Sequence, residues 1–178
     1  SLPNPGADHT TTMPCGKLAD MLNKTLYAVS QDEKKPAHTG ELFVIQPGKL
    51  TVVALDGYRL AIVSREVECT RDIRIIIPGK TLQELIKLMG EDDEETVTID
   101  ANRRYVVFHT KNYTIMSRLI EGEFLNYETV IPQGAATTAT IECREFIDTI
   151  ERASLIITER LKNPLRITFN QAEQKVMV

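Results

Sequence analysis

Leu55-Asp56-Gly57-Tyr58-Arg59-Leu60-Ala61 is the stretch on which the reading of this 178-residue chain turns. Asp-Gly is a strong tight-hairpin signal, because glycine accepts positive φ and an aspartate side chain can bond its own backbone two residues on. Here it separates 50–55 from 60–64, two runs rich in Val, Ile and Leu. Such runs joined by so short a turn predict two antiparallel strands.

Working backwards from the hairpin, a Pro47-Gly48 turn precedes it and a further strand is expected at 41–45. Residues 30–36 read as a charged loop. Before them Leu18, Met21, Leu22, Leu26 and Val29 share one helical face, with Lys17, Asp20 and Lys24 on another. That spacing predicts an amphipathic helix of about four turns starting at Cys15. Residues 1–10, with two prolines and a glycine, read as a linker from a domain upstream, leading into a strand near 11–13.

Working forwards, the same order recurs. Residues 73–77 are a β-branched run, 80–89 a helix with Leu82, Leu85, Ile86 and Met89 aligned, and 96–100, 105–110 and 113–119 three short strands. Pro14 matches Pro78, Leu18 matches Leu82, Met21 matches Leu85 and Leu22 matches Ile86, each 64 residues apart. Glu142, Phe146 and Ile150 begin a third copy at the same offset, with strands expected at 165–170 and 175–178. The fold class is therefore α+β, built from duplicated βαβββ units. Two units side by side close a core, with two helices packed on antiparallel sheet. Residues 11–132 make one complete domain and 133–178 the first, truncated part of another.

Composition excludes several function classes. At 42% hydrophobic and 26% charged the chain is that of an ordinary globular protein. No run of about 18 apolar residues and no signal peptide occurs, so a cytoplasmic protein with no membrane partner is expected. Cys15, Cys69 and Cys143 form no CxxC, and His9, His38 and His109 are dispersed, so no metal or other cofactor is indicated. No nucleophile elbow, phosphate loop or HExxH is present, and no acid-base constellation is visible. The acidic run 91–95 reads as a solvated turn. The chain reads as a non-catalytic protein.

A net charge of −4 argues against a strongly basic surface gripping phosphates. Local cations remain. Lys17 and Lys24, and Lys80 and Lys87, are seven apart and stack on one side of their helices. Arg144 opens the third helix, and Lys34 and Lys35 form a basic loop tip. No aromatic residue is interleaved with them, which argues against stacking on single strands.

The segments Thr25-Leu-Tyr-Ala-Val-Ser30, Ala54-Leu-Asp-Gly-Tyr-Arg-Leu-Ala61, Ile77-Pro-Gly-Lys-Thr-Leu82 and Ser117-Arg-Leu-Ile-Glu-Gly-Glu-Phe124, with Tyr127 and Val130-Ile-Pro132, resemble the bacterial sliding clamp family, the beta subunits of DNA polymerase III. The resemblance runs from about Thr11 across the chain, over the middle domain and the first part of the third domain of a three-domain clamp. It implies a DNA clamp fold and a homodimer ring enclosing duplex DNA without sequence preference. By match of position, Lys80 and the Lys34-Lys35 loop face DNA, along with the other helix cations. The resemblance also implies a pocket for short linear peptides from the polymerase III alpha subunit, the clamp loader and repair polymerases. Its wall would be His38, Leu55, Gly57, Tyr58, Arg59, Leu60, Leu125, Thr129 and Val130. His38, Leu55, Leu125 and Thr129 depart from the residues common in the family at those places. The segment that completes the pocket in the family lies beyond Val178, so these 178 residues alone are expected neither to close a ring nor to bind peptide fully. The rival reading is a standalone peptide-binding module that does not encircle DNA.

Overall fold

The structure, a computed structural model, describes residues 8–69, 71–89, 94–155 and 164–178. It divides into two compact units, Ser1–Glu128 and Thr129–Val178. The first unit runs β1 (His9–Pro14), α1 (Cys15–Asn23), β2 (Gly40–Gln46), β3 (Lys49–Leu55) and β4 (Leu60–Glu66). The run then repeats as β5 (Ile73–Pro78), α2 (Gly79–Leu88), β6 (Thr96–Ala101), β7 (Tyr105–His109) and β8 (Thr114–Arg118). The 64-residue offset holds to the residue for the first two elements, since His9–Pro14 maps onto Ile73–Pro78 and Cys15 onto Gly79. It then shrinks to 56 between Gly40 and Thr96, because the first repeat has a longer connection from helix to strand. That longer connection carries two short 3₁₀ turns, Leu26–Ala28 and Pro36–Thr39.

The two helices pack on antiparallel sheet, as the repeat predicts, and that sheet is divided into two of four strands, ordered β1-β6-β7-β8 and β4-β3-β2-β5, each taking one strand from the other repeat. β1 pairs antiparallel with β6, His9 opposite Ala101, and β5 pairs antiparallel with β2, Gly40 opposite Pro78. The reason is geometric: α1 and α2 follow their first strands with no intervening residue, so each helix carries its strand away from the three strands that follow. At Gly40 the two repeats approach so closely that a Cβ would collide with the Ile77 carbonyl oxygen, which only glycine avoids. The sheet edges also meet, through the Ile120 N–H donating to the Ile76 carbonyl at 2.9 Å and a bridge between Thr12 and Glu68.

One core fills the space between both helices and the inner faces of both sheets. α1 contributes Cys15, Leu18, Met21 and Leu22, α2 contributes Leu82 and Leu85, and the sheets contribute Phe43, Ile45, Ile77, Ile99 and Phe108. The apolar spacing suggested that α1 continues to Val29, but it stops at Asn23. The buried Thr25 hydroxyl donates to the Met21 carbonyl at 2.9 Å, a local bond that competes with the helical ladder. The chain then turns through Leu26–Ala28 and still buries Ala28 and Val29.

The outer faces of the two sheets differ. On the β1-β6-β7-β8 sheet, Thr10 bonds Asp100 at 2.6 Å and Thr12 bonds Thr98 at 3.0 Å, a polar face that needs no cover. On the other sheet Leu42, Val44, Val53, Leu55 and Ile76 face outwards, and Phe124 and Tyr127 from the segment after β8 pack over them. β2 and β3 are thus buried on both faces, which accounts for their nearly continuous apolar runs.

The second unit contains α3 (Cys143–Ser154) and an antiparallel pair, β9 (Thr168–Asn170) with β10 (Lys175–Met177). α3 starts another 64 residues after Gly79, and Glu142 caps it by accepting the Glu145 N–H at 2.6 Å. Of the acidic run, residues 91–93 lie outside the described residues, while the Glu95 carbonyl accepts the Cys15 N–H at 2.7 Å.

One polar side chain sits against the grain of this core. Glu41 on β2 is fully buried and neither carboxyl oxygen has a hydrogen-bond partner. Burial pushes its carboxyl from the ordinary 4.5 up to about 8, and the Thr25 hydroxyl offsets this little because its proton goes to Met21. The folded state therefore retains a proton that an unfolded glutamate releases near pH 4.5. Its contribution is intact below pH 4.5, declines as pH rises to about 8 and is flat above, a span worth at most about 5 kcal/mol. In Glu41→Gln this slope is absent, so the variant's stability relative to the parent protein should rise between pH 5 and 8. Urea unfolding midpoints at both pH values measure it, and a difference that does not change with pH would contradict the burial of a neutral acid.

Candidate functional site

The Asp56-Gly57 hairpin is built by side-chain bonding as well as by glycine. Asp56 Oδ1 accepts the backbone N–H groups of Tyr58 (3.1 Å) and Arg59 (3.2 Å), and Gly57 adopts φ +93°. Those backbone bonds, the one from Tyr58 foremost, and the Arg59 guanidinium hold the Asp56 carboxyl below its ordinary range. The second oxygen, Oδ2, takes the Arg59 Nε–H at 2.9 Å. Arg59 is fixed along the turn while Tyr58 is left fully exposed.

Leu55 and Leu60 flank this turn as directly paired residues of β3 and β4. Both belong to the apolar cluster on the outer face of the sheet, with Ala37, Ile120, Phe124 and Tyr127. His38 meets Phe124 edge-on, with ring centroids 5.5 Å apart and planes at 70°. Burial first, and Lys35 second, lower the His38 pKa, so the ring is neutral at pH 7. The structure thus brings Leu55 and Leu60 together at one turn, which Gly57 shapes and Arg59 braces, and joins them through Phe124 to His38. Leu125, next to Phe124, is exposed. Thr129, in the 3₁₀ turn Tyr127–Thr129, and the exposed Val130 belong to the second unit.

Sequence reasoning did not name Phe124, Tyr127, Ala37 or Tyr27 for this surface. Phe124 and Tyr127 stand three apart beyond the last strand, where no strand or helix period reveals a facing partner. Tyr27 is exposed on the longer helix-to-strand connection, and the Arg59 guanidinium lies 5.4 Å from its ring centroid.

The candidate DNA-facing cations are not equivalent. Lys17 is half-buried and donates to the Glu66 carbonyl at 2.8 Å. Asp20 receives both Lys24 (2.7 Å) and Arg65 (2.8 Å), and Lys87 pairs with Glu84 at 2.7 Å. Lys80 is exposed at the start of α2 and has no ion pair among the described residues. Lys34 and Lys35 are exposed, their loop shaped by the Asp32 carboxylate accepting the Lys34 N–H at 3.0 Å. In the second unit Arg144 pairs with Asp148 at 3.2 Å. Among the described residues no group of three or more His, Cys, Asp or Glu is placed to hold a metal ion. No described helix is long and apolar enough to cross a membrane.

Residues 12–126 match the family described as DNA polymerase III beta subunit, central domain. A beta sliding clamp from Halalkalibacterium halodurans is 36% identical over 156 residues, covering 85% of this chain and 41% of that protein. A crystal structure assigned as a DNA polymerase III beta subunit from Eubacterium rectale superposes with a TM-score of 0.91 at 31% identity, over 96% of this chain and 46% of the other. The sliding clamp of Bacillus subtilis superposes at 0.85 and 28% identity, over 99% and 50%. This chain thus spans about half the length, or less, of the proteins it matches. With its duplicated α+β fold and its match to the central domain over 12–126, the chain belongs to the DNA polymerase III beta subunit family.

Proposed function

We propose that this chain is part of a sliding clamp: a non-catalytic, cofactor-free, cytoplasmic processivity factor whose full-length form is a two-chain ring around duplex DNA. Residues 11–132 form one clamp domain and 133–178 begin the next. The observation that carries the reading is the duplicated unit with exchanged strands, shared over nearly the whole chain with the Eubacterium rectale and Bacillus subtilis structures. Relatives named as sliding clamps favour it over a standalone peptide-binding module. Partners are the polymerase III alpha subunit, the clamp loader and repair polymerases, each docking a short peptide.

The ion-pair pattern suits enclosure rather than grip. Lys24 and Lys87 are each paired with a carboxylate of their own helix, and Lys17 is tied back to the Glu66 carbonyl, so fewer cations are free to release counterions from phosphates. A ring held by topology slides better with such a lining. In the full-length protein, Lys80→Gln should lower the salt dependence of DNA binding by about one unit of slope per chain, whereas Lys87→Gln should change it by less than half of that. Binding titrations from low to physiological salt decide this, and equal slopes for the two variants would remove Lys80 from the DNA-facing set.

For peptides, the apolar surface around Leu55, Leu60 and Phe124 offers an anchor site beside a fixed guanidinium. Leu60→Ala in the full-length protein should weaken a polymerase-derived peptide by roughly tenfold, the value of about 1–2 kcal/mol of lost apolar contact. Fluorescence anisotropy measures it, and an unchanged Kd would take Leu60 out of the site.

A further inference from the structure

We infer that Tyr27 is a positioning residue of the peptide site, holding the Arg59 guanidinium in place for a peptide carbonyl or carboxylate. The inference rests on the peptide-site reading above. Tyr27 comes from the connection in which the first repeat is longer than the second, and that connection is anchored at its base. Ala28 and Val29 are buried, the Ala28 N–H donates to the Thr25 carbonyl at 2.9 Å, and the Val29 N–H donates to the Leu26 carbonyl at 3.2 Å. The Tyr27 ring therefore stands on a rigid footing although 58% of the residue is exposed.

Arg59 reaches it from the hairpin. Its Nε–H is committed to Asp56 Oδ2 at 2.9 Å, and its Cζ lies 5.4 Å from the Tyr27 ring centroid. A cation at that distance is attracted by the ring quadrupole. The guanidinium is held on two sides, by a carboxylate along its Nε and by an aromatic ring. Neither Nη group makes a hydrogen bond or ion pair among the described residues. Four N–H donors are thus presented in a fixed fork at the turn that joins the paired residues Leu55 and Leu60, which suits a carbonyl or carboxylate near an apolar anchor. Without the ring, a side chain that is 54% exposed regains rotamers that binding must then freeze.

The test is a double-mutant cycle in the full-length protein, read by fluorescence anisotropy with a fluorescein-labelled synthetic peptide from the clamp-contacting segment of the polymerase III alpha subunit. Tyr27→Ala should weaken binding about three- to tenfold, Tyr27→Phe should stay within about twofold, and Tyr27→Ala should add nothing in an Arg59→Ala background. Rescue by phenylalanine together with the missing loss in the Arg59→Ala background separates positioning from a general structural defect. Leu60→Ala is run alongside. If it leaves affinity unchanged, the peptide-site reading falls and this inference with it. If Leu60→Ala weakens binding but Tyr27→Ala does not, or if Tyr27→Ala costs as much without Arg59 as with it, the role of Tyr27 alone is overturned.

Discussion

The pairing of β1 with β6, and of β5 with β2, is the constraint on which the rest of the first unit depends. Each repeat lends its opening strand to the sheet of the other, so neither repeat has a complete sheet by itself. Each exchanged ladder spans six register pairs, and at about 1 kcal/mol net per hydrogen bond each is worth several kcal/mol, comparable with the stability of a whole domain. The exchange also fixes the helices. Because α1 and α2 begin directly after the exchanged strands, they lie side by side over one shared core and cannot move independently.

On this near-symmetric frame, the residues of the proposed peptide site come from the departures. Nine more residues separate α1 from β2 than separate the corresponding elements of the second repeat, and this longer connection supplies Tyr27, Lys34, Lys35 and His38. The hairpin of the first repeat carries Asp56, Gly57 and Arg59, whereas Lys111-Asn112 stands at the matching turn. Phe124 and Tyr127 cover one sheet, while the other keeps an open polar face. Residues from all three departures are linked: Phe124 and Tyr127 share one apolar cluster with Leu55 and Leu60, His38 meets Phe124, and Tyr27 meets Arg59.

Much of this was legible in the residues, and the rest was hidden for physical reasons. The repeat showed because apolar residues at a fixed offset, Leu18 with Leu82 and Leu22 with Ile86, mark the same helix face twice. Strand exchange did not show, because alternation tells which face a residue occupies and never which strand lies beside it. The end of α1 was missed because Leu26 and Val29 keep the helical spacing while the Thr25 hydroxyl diverts the backbone. The state of the cations was equally hidden: a spacing of seven placed Lys17 and Lys24 on one side, but their bonds to Glu66 and Asp20 need the fold. Glu41 lay unremarked in a strand, and only the sheet-on-helix packing reveals a buried acid.

Enclosure of DNA by a ring differs from every other mode of binding in depending on the topology of the DNA. The most direct measurement loads the full-length protein onto nicked circular DNA with its clamp loader, raises the salt, and then linearises the DNA with a single-cutting nuclease. A sliding clamp stays on the intact circle through the salt step and is released when the circle is cut. Loss from the intact circle at the same rate as from linear DNA would contradict it.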